Sequence, residues 1–454
     1  MHVRWLLLFT LLATLLVSVD FPQQAKATPA NPATLAAATC VETPQTSGSK
    51  WKICSPAAVD LVPDTPINID VVVWAHGYQA PGYAATYQDS LSDKTYVPDL
   101  VTGLGYAFIT ATYPANGLVV IDAEADLLAL VAYFNKTYPP TATARKIYLA
   151  GASMGGLITA QLAERNPNGV FAGALALCGI VGDFPRQVKY WGDFDALYRT
   201  LFANVVASWT TQPISMTTQA VWESTYQPSI AFGVISNRAA ASQLITVAKA
   251  AIDPDPLNST SVLTTIVGLS YFTFLSREDS AVQLGGNPVD NHAYWYRGLG
   301  STNDMALNKL VPRETASPAA VTAMQAYATT GQPKIPLVLV HTSYDPIVPV
   351  EQSFLYILKK QAAGNTNVTP FLVARYGHCE FKSAEVQDSF SLLVAQVNGL
   401  TTPGTIPSWF PFQSTTLISG TAVVSATNAF SATNAVPDPY VFTRNYTPLV
   451  AVAR

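Results

Sequence analysis

Residues 146–164 read KIYLAGASMGGLITAQLAE, and the organisation of the chain follows from how this stretch is divided. Lys146 to Ala152 is an apolar run that predicts a buried strand, and from Ser153 onward apolar residues recur at helical spacing. A helix start alone calls for Ser at its N-cap, not for glycines on both sides of it. Gly151-Ala152-Ser153-Met154-Gly155 instead spells G-x-S-x-G. A sharp strand-to-helix turn lifts a serine hydroxyl out of a sheet, strains the serine backbone and crowds the positions two before and two after it, where only small residues fit. Ser153 is thus the candidate nucleophile, and the following helix points its first amides at the place where an oxyanion would form.

Working outward, further apolar runs bounded by turn residues lie at 67–77, 105–114, 170–179, 334–345 and 369–378. Runs of this length without polar alternation suit strands buried on both faces, as in a parallel sheet. Helical spacing recurs at 121–138, 153–166, 350–364 and 382–400. Strand–helix alternation predicts an α/β fold, a mostly parallel sheet with helices on both faces. Two smaller α/β domains are the alternative. The alternation stops between about 180 and 333, where aromatic residues are frequent and the patterns are mainly helical, as at 239–252. The expected organisation is a core of residues 28–180 and 334–401, an inserted cap of 181–333, and a Ser/Thr/Pro-rich tail of 402–454 that contains SATNAFSATNA (425–435).

The bulk properties narrow the function. The chain has 454 residues, 12% charged residues and a net charge of −4, with no basic block, so no nucleic-acid partner is expected. His2 and Arg4, the apolar run 5–19 and Ala-Lys-Ala at 25–27 read as a signal peptide, residues 1–27, cut after Ala27. An uncleaved anchor is the other reading, but the run is short for a membrane span. Export to an extracellular or periplasmic location implies an oxidising compartment. Of the four cysteines, Cys40 and Cys54 flank what look like two short strands around a turn, which favours a local bridge. No spacing matches a zinc site, and no metal or cofactor is expected.

A serine nucleophile needs a base, and five histidines allow elimination. His2 lies in the leader, His76 precedes the serine, His292 lies in the insertion and His341 within a predicted strand. His378, in the loop RYGHCEF after the last strand, remains. The acid should follow a strand between serine and histidine. PLVLVHTSYDPIVP places Asp345 there, with Glu351 as fallback. A carboxylate in this position accepts a bond from the histidine Nδ1–H and holds its tautomer. The oxyanion needs two backbone donors, for which the amides of Tyr78, after His76-Gly77, and of Met154 are the candidates.

His76-Gly77, Ser153 in G-x-S-x-G, Asp345 in SYDPIVP and His378 in YGHCEF together resemble the α/β-hydrolase superfamily over about residues 60–400. Within it, the D-x-x-V-P and G-H-C elements are similar to those of secreted esterases and prolyl-oligopeptidase-like hydrolases. Tannases and feruloyl esterases carry a cysteine beside both catalytic residues; here Cys379 follows His378 but Ala152 precedes Ser153. The resemblance implies a secreted serine hydrolase that cleaves small-molecule or polymeric carboxylic esters through a Ser-Asp-His triad and an acyl-enzyme, without stable membrane insertion once the signal is cut. A prolyl-oligopeptidase-like peptidase and a non-catalytic binding protein on the same fold are the alternatives. A second bridge, Cys178–Cys379, is expected, because the strand ending at Cys178 should finish near the site and the histidine loop needs fixing. The insertion should stack over Ser153 as a lid and contribute aromatic side chains to an acyl or aryl pocket.

Overall fold

A computed structural model describes residues 37–405 and 407, apart from 142–143 and 208–217. The expected signal peptide and cleavage site, and nearly all of the expected tail, lie outside the described residues.

Eight strands form one sheet: β1 (Thr39–Pro44), β2 (Lys50–Ser55), β3 (Val71–Ala75), β4 (Ala107–Ala111), β5 (Ile147–Ala152), β6 (Gly173–Leu177), β7 (Leu337–Tyr344) and β8 (Val368–Tyr376). Their spatial order is β1-β2-β4-β3-β5-β6-β7-β8. β2 runs antiparallel to both neighbours, and all pairs from β4 to β8 are parallel. A single continuous sheet excludes the two-domain alternative. The sheet also takes in the two short strands expected around the Cys40–Cys54 turn: Trp51 to Cys54 pair with Ala111 to Phe108 of β4, so β1 and β2 extend the sheet by two strands. Apolar periodicity could not reveal this, because β1 is a mostly exposed edge with a mixed pattern.

Parallel strands need crossovers, and helices supply them. Between strands lie α1 (Val97–Gly103), α2 (Val120–Thr137), α3 (Met154–Arg165) and, after β7 and β8, α12 (Glu351–Ala362) and α13 (Ser383–Val397). Strand alternation sends Val71, Val73 and Leu149 to one face, where α2 and α3 pack, and Val72, Trp74 and Tyr148 to the other, where α1 and α13 pack. Both faces are covered, so the strands are continuously apolar. Small residues in β6 let a helix come close: a Cβ on Gly173 would meet Val397 Cγ2 at 2.6 Å.

Between β6 and β7 the described chain is helical: α4 (Phe184–Leu201), α5 (Ala203–Ala207), α6 (Gln219–Val221), α7 (Gln227–Ser236), α8 (Arg238–Ala248), α9 (Ser261–Gln283), α10 (Ser301–Leu310) and α11 (Pro318–Ala323). Phe194, Tyr198, Leu244 and Phe274 from this segment join the same apolar cluster as the α2/α3 side of the sheet. The insertion therefore shares a core with the sheet. At the other end, Gly404 N donates to Thr369 Oγ1 of β8, which ties the first residues after α13 to the core.

Candidate active site

The carboxyl ends of the parallel strands collect the polar residues of interest. His76 follows β3, Ser153 follows β5, Cys178 follows β6, Asp345 follows β7 and His378 lies just beyond β8. This edge is where an open α/β sheet offers a crevice.

Ser153 sits between β5 and α3 with φ 58° and ψ −121°, a strained conformation for any side chain. Its neighbours explain why it persists. A Cβ on Gly155 would fall 1.9 Å from Ala75 O, and one on Gly151 would fall 2.4 Å from Gly155 O. The turn closes only with glycine at both places. Gly156, outside the five-residue motif, has its own reason: a Cβ there would meet Leu177 O at 2.7 Å, so α3 packs directly on the backbone at the end of β6.

His378 Nε2 is 2.8 Å from Ser153 Oγ, and His378 Nδ1 is 2.7 Å from Asp345 Oδ2. The three residues singled out in the sequence, 225 positions apart at the extremes, form one hydrogen-bonded chain. Asp345 can only accept, so Nδ1 carries the hydrogen and Nε2 is left as acceptor for the serine hydroxyl. Asp345 is buried, and its Oδ1 accepts from the amides of Ile347 (2.9 Å) and Val348 (3.0 Å). Glu351, the fallback acid, opens α12 instead. An amide pair holding one carboxylate oxygen leaves the other aimed at the imidazole.

Gly77 lies against the serine: a Cβ on it would meet Ser153 Cβ at 3.3 Å. The turn carrying Tyr78 is therefore beside the nucleophile, and Met154 is the first residue of α3. Neither amide has an acceptor among the described hydrogen bonds. The pair has the backbone character an oxyanion site requires. His76 itself is turned inward. It stacks on Tyr113 at 3.8 Å, its Nδ1 faces Gly77 O at 2.7 Å, and burial pushes its pKa down to about 4.

Both disulfides are present, Cys40–Cys54 and Cys178–Cys379. The first clips β1 to β2, and the second fastens the end of β6 to the residue after His378, with Cys379 Sγ 3.5 Å from His378 Nε2. Cys178, His378 and Cys379 are close enough together to suggest a metal site, but both sulfurs are spent in the bridge.

Sequence reasoning set His341 aside as a strand residue and missed its role beside the acid. It is fully buried in β7; its Nε2 donates to Val348 O (2.8 Å) and lies 3.6 Å from Asp345 Oδ2, and its Nδ1 accepts from Ser353 Oγ (3.0 Å). Burial lowers its pKa, so it is a neutral brace under the acid's loop. The signal was available: four positions apart near the end of a strand, His341 and Asp345 fall on one side of the sheet.

Ser153 opens into an apolar pocket with an empty volume of about 830 Å³, part of it open to solvent. Met154, Leu157 and Ile180 from the sheet side line it together with Trp191 and Phe272 from the insertion. Trp191 and Phe272 stack at 6.3 Å, Phe272 meets the His378 ring edge-on at 6.0 Å, and Trp191 Nε1 donates to Ile347 O. The insertion thus touches both the histidine and the acid loop.

No protein-family model matches the chain, and no curated protein matches it. Solved structures similar to it include Candida antarctica lipase A in its closed state, at 14% identity with 86% of this chain and 84% of that chain covered, TM-score 0.43. The Pyrococcus furiosus esterase Pf2001 is similar at 15% identity, covering 81% and 94%, TM-score 0.40. The acylaminoacyl peptidase of Pyrococcus horikoshii is similar at 11% identity, TM-score 0.39; 83% of this chain is covered, and the chain spans 44% of the peptidase. The sheet order, the turn after β5 and the order Ser, Asp, His along the chain are those of the α/β-hydrolase fold.

Proposed function

We propose that this chain, an α/β-hydrolase by fold, is a secreted serine hydrolase that cleaves carboxylic esters. The observation that carries the reading is the hydrogen-bonded chain Ser153–His378–Asp345 at the mouth of an apolar pocket. Ser153 Oγ attacks the acyl carbon while His378 Nε2 takes its proton, and Asp345 holds the tautomer and steadies the imidazolium. The negative charge on the former carbonyl oxygen meets the amides of Tyr78 and Met154. His378 then passes the proton to the leaving alcohol, and an acyl-Ser153 ester is left. Water, deprotonated by His378, attacks that ester and releases the acid and free Ser153. Residues 181–333 act as the cap that sets substrate choice. Residues 1–27 are removed on export, consistent with two disulfides and with the absence, among the described residues, of a helix long and apolar enough to cross a membrane.

An ester is favoured over a peptide by the pocket's charges. Asp195 is the carboxylate that lines it, and it is already paired with Arg199 and Arg277, so no uncompensated acid waits there for a peptide's amino group. The test is a fluorophosphonate probe followed by a panel of acyl esters and peptide amides. Labelling with ester turnover is expected. Labelling with amide turnover alone would move the assignment to a peptidase, and absence of labelling would move it to a binding protein. The N-terminus of the exported protein should be Thr28.

A further inference from the structure

Behind the candidate oxyanion turn two loops meet, the turn of Gly77, Tyr78 and Gln79 after β3 and the loop between β4 and α2. In the peptide that joins Gly77 to Tyr78, the carbonyl oxygen accepts from His76 Nδ1 (2.7 Å), and the N–H has no acceptor among the described hydrogen bonds. The next carbonyl, Tyr78 O, accepts from Gln88 Nε2 (3.2 Å). The one after it, Gln79 O, accepts from Gly117 N (2.8 Å) of the second loop. Each carbonyl of the turn is tied down, and one donor is left over.

The Gly117 end of these bonds is held from the insertion. Asp279, near the end of α9, is buried, and its Oδ2 accepts from Leu118 N (2.8 Å). A Cβ on Gly117, which has φ 108°, would stand 2.4 Å from Asp279 Oδ1, so only glycine lets the carboxylate come this close. The same helix reaches Tyr78 itself. The phenol oxygen is 3.4 Å from Leu275 O, one helical turn before Asp279, and the Tyr78 ring lies 6.4 Å from that of Phe272. Burial, and after it the neighbouring Asp279 carboxylate, hold the phenol well above its usual pKa range. Asp279 does not line the pocket, so its contacts serve the turn and not a ligand.

We propose that Asp279 is a positioning residue for the ester hydrolysis proposed above: from α9 it fixes Leu118 and the Tyr78 side chain, and through Gly117 and Gln79 it sets where the Tyr78 amide points. The assignment rests on the ester reading. It makes one residue of the insertion a support of the oxyanion site, acting only through that amide.

Asp279→Ala, Asp279→Asn and Tyr78→Phe, assayed on p-nitrophenyl butyrate and with octyl trifluoromethyl ketone as inhibitor, test it. Ser153 Oγ adds to the ketone carbon, His378 takes the hydroxyl proton, and the carbonyl oxygen becomes the hemiketal oxyanion, so Ki reports on the backbone donors. Removing a whole donor costs about 10²–10³ in kcat, and a displaced one costs less. Asp279→Ala should lower kcat about ten- to thirtyfold and raise Ki by a like factor, with KM within about twofold. Asp279→Asn should recover most of both, because its Oδ1 still accepts from Leu118 N and its Nδ2 can donate to the phenol oxygen. Tyr78→Phe should lose about threefold in kcat, and the double variant with Asp279→Ala should lose no more than Asp279→Ala alone. A folded Asp279→Ala with a raised KM or a lowered melting temperature, but unchanged kcat and Ki, overturns the proposal. Should that variant not fold, Tyr78→Phe decides, and unchanged kcat and Ki there overturn it. If Ser153 takes the fluorophosphonate label but only amides are cleaved, the ester reading fails and the same variants are compared on those amides. Unchanged kcat in an enzyme that cleaves esters defeats only the Asp279 assignment.

Discussion

The carboxyl edge of the sheet and the helical insertion above it are built on different principles. At the sheet edge, each functional residue stands at the end of a strand whose place is set by apolar runs and backbone pairing. The strands are held by neighbours in register, so the strand ends that lead into Ser153, Asp345 and His378 are brought to one edge. In the insertion, position is set by pairs far apart in the chain. Tyr296 Oη donates to Asp193, 103 residues away, and Arg277 reaches Asp195 across 82. One region repeats a local rule, and the other depends on individual contacts. Under the proposed function, the first carries the chemistry and the second the choice of substrate, apart from the positioning role inferred for Asp279.

Removing the nucleophile separates the two most sharply. Ser153→Ala should lose hydrolysis by about 10³-fold or more while melting as the wild type does, and His378→Ala should match it, with little further loss in the double variant. Near-normal turnover in either purified variant would break the assignment of chemistry to the sheet edge.

The buried His76 offers a stability test of that same edge. Its folded pKa is lowered to about 4 by burial, against about 6.5 for a free imidazole. Between these values the unfolded chain binds a proton that the folded one refuses. Stability from this group is present above pH 6.5 and is lost as pH falls towards 4, by about 3 kcal/mol at most. Urea unfolding of wild type and His76→Asn at pH 7 and pH 4.5 should show the gap between them shift in favour of the variant at the lower pH. Comparing the two proteins cancels groups such as Glu124, whose burial raises its pKa to about 7 and whose contribution runs the opposite way.

The disulfides sharpen the contrast further. Replacing Cys178 and Cys379 together by Ala should lower kcat by roughly ten- to a hundredfold, because the loop bearing His378 loses its fastening and small displacements of a base are costly. The pair Cys40 and Cys54, at the far edge of the sheet, should leave kcat unchanged and affect only the melting temperature. Equal kcat losses from both double variants would show that position beside the histidine is immaterial.

The smallest effect belongs to the insertion. Tyr296→Phe deletes the hydroxyl that bonds Asp193 Oδ1 and accepts from Asn291 Nδ2, and should lower stability by about 1 kcal/mol in urea titration without altering fluorophosphonate labelling of Ser153. A change in the labelling rate would mean that the Tyr296–Asp193 side of the insertion also participates in the chemistry.

Much of the sheet and site could be read beforehand because their determinants are local. Continuous apolar runs mark strands buried on both faces, glycines around Ser153 mark a turn without room for a Cβ, and few histidines leave one candidate base. Spacing also suggested the Cys40–Cys54 clip and, through the expected strand order, the Cys178–Cys379 bridge. The place of β1 and β2 in the sheet was not legible, since the exposed edge strand β1 carries no apolar period and the second partner of β2, β4, begins more than fifty residues later. Nor was the brace that His341 provides, because a histidine inside a strand reads as core until its neighbour across the turn is known.

By itself, then, the sequence determined which residues sit at strand ends, which serine is held in a strained turn, and that the alternation breaks between β6 and β7. Each of these follows from sterics and burial acting over a few residues. Only the tertiary structure decided which side of the insertion faces Ser153, that Phe272 meets His378 and Trp191 the loop of Asp345, and that Asp279 of α9 reaches Leu118. Those facts depend on how α4 and α9 lie against one another and the sheet. Contacts between segments more than eighty residues apart set that arrangement, and no local pattern encodes them.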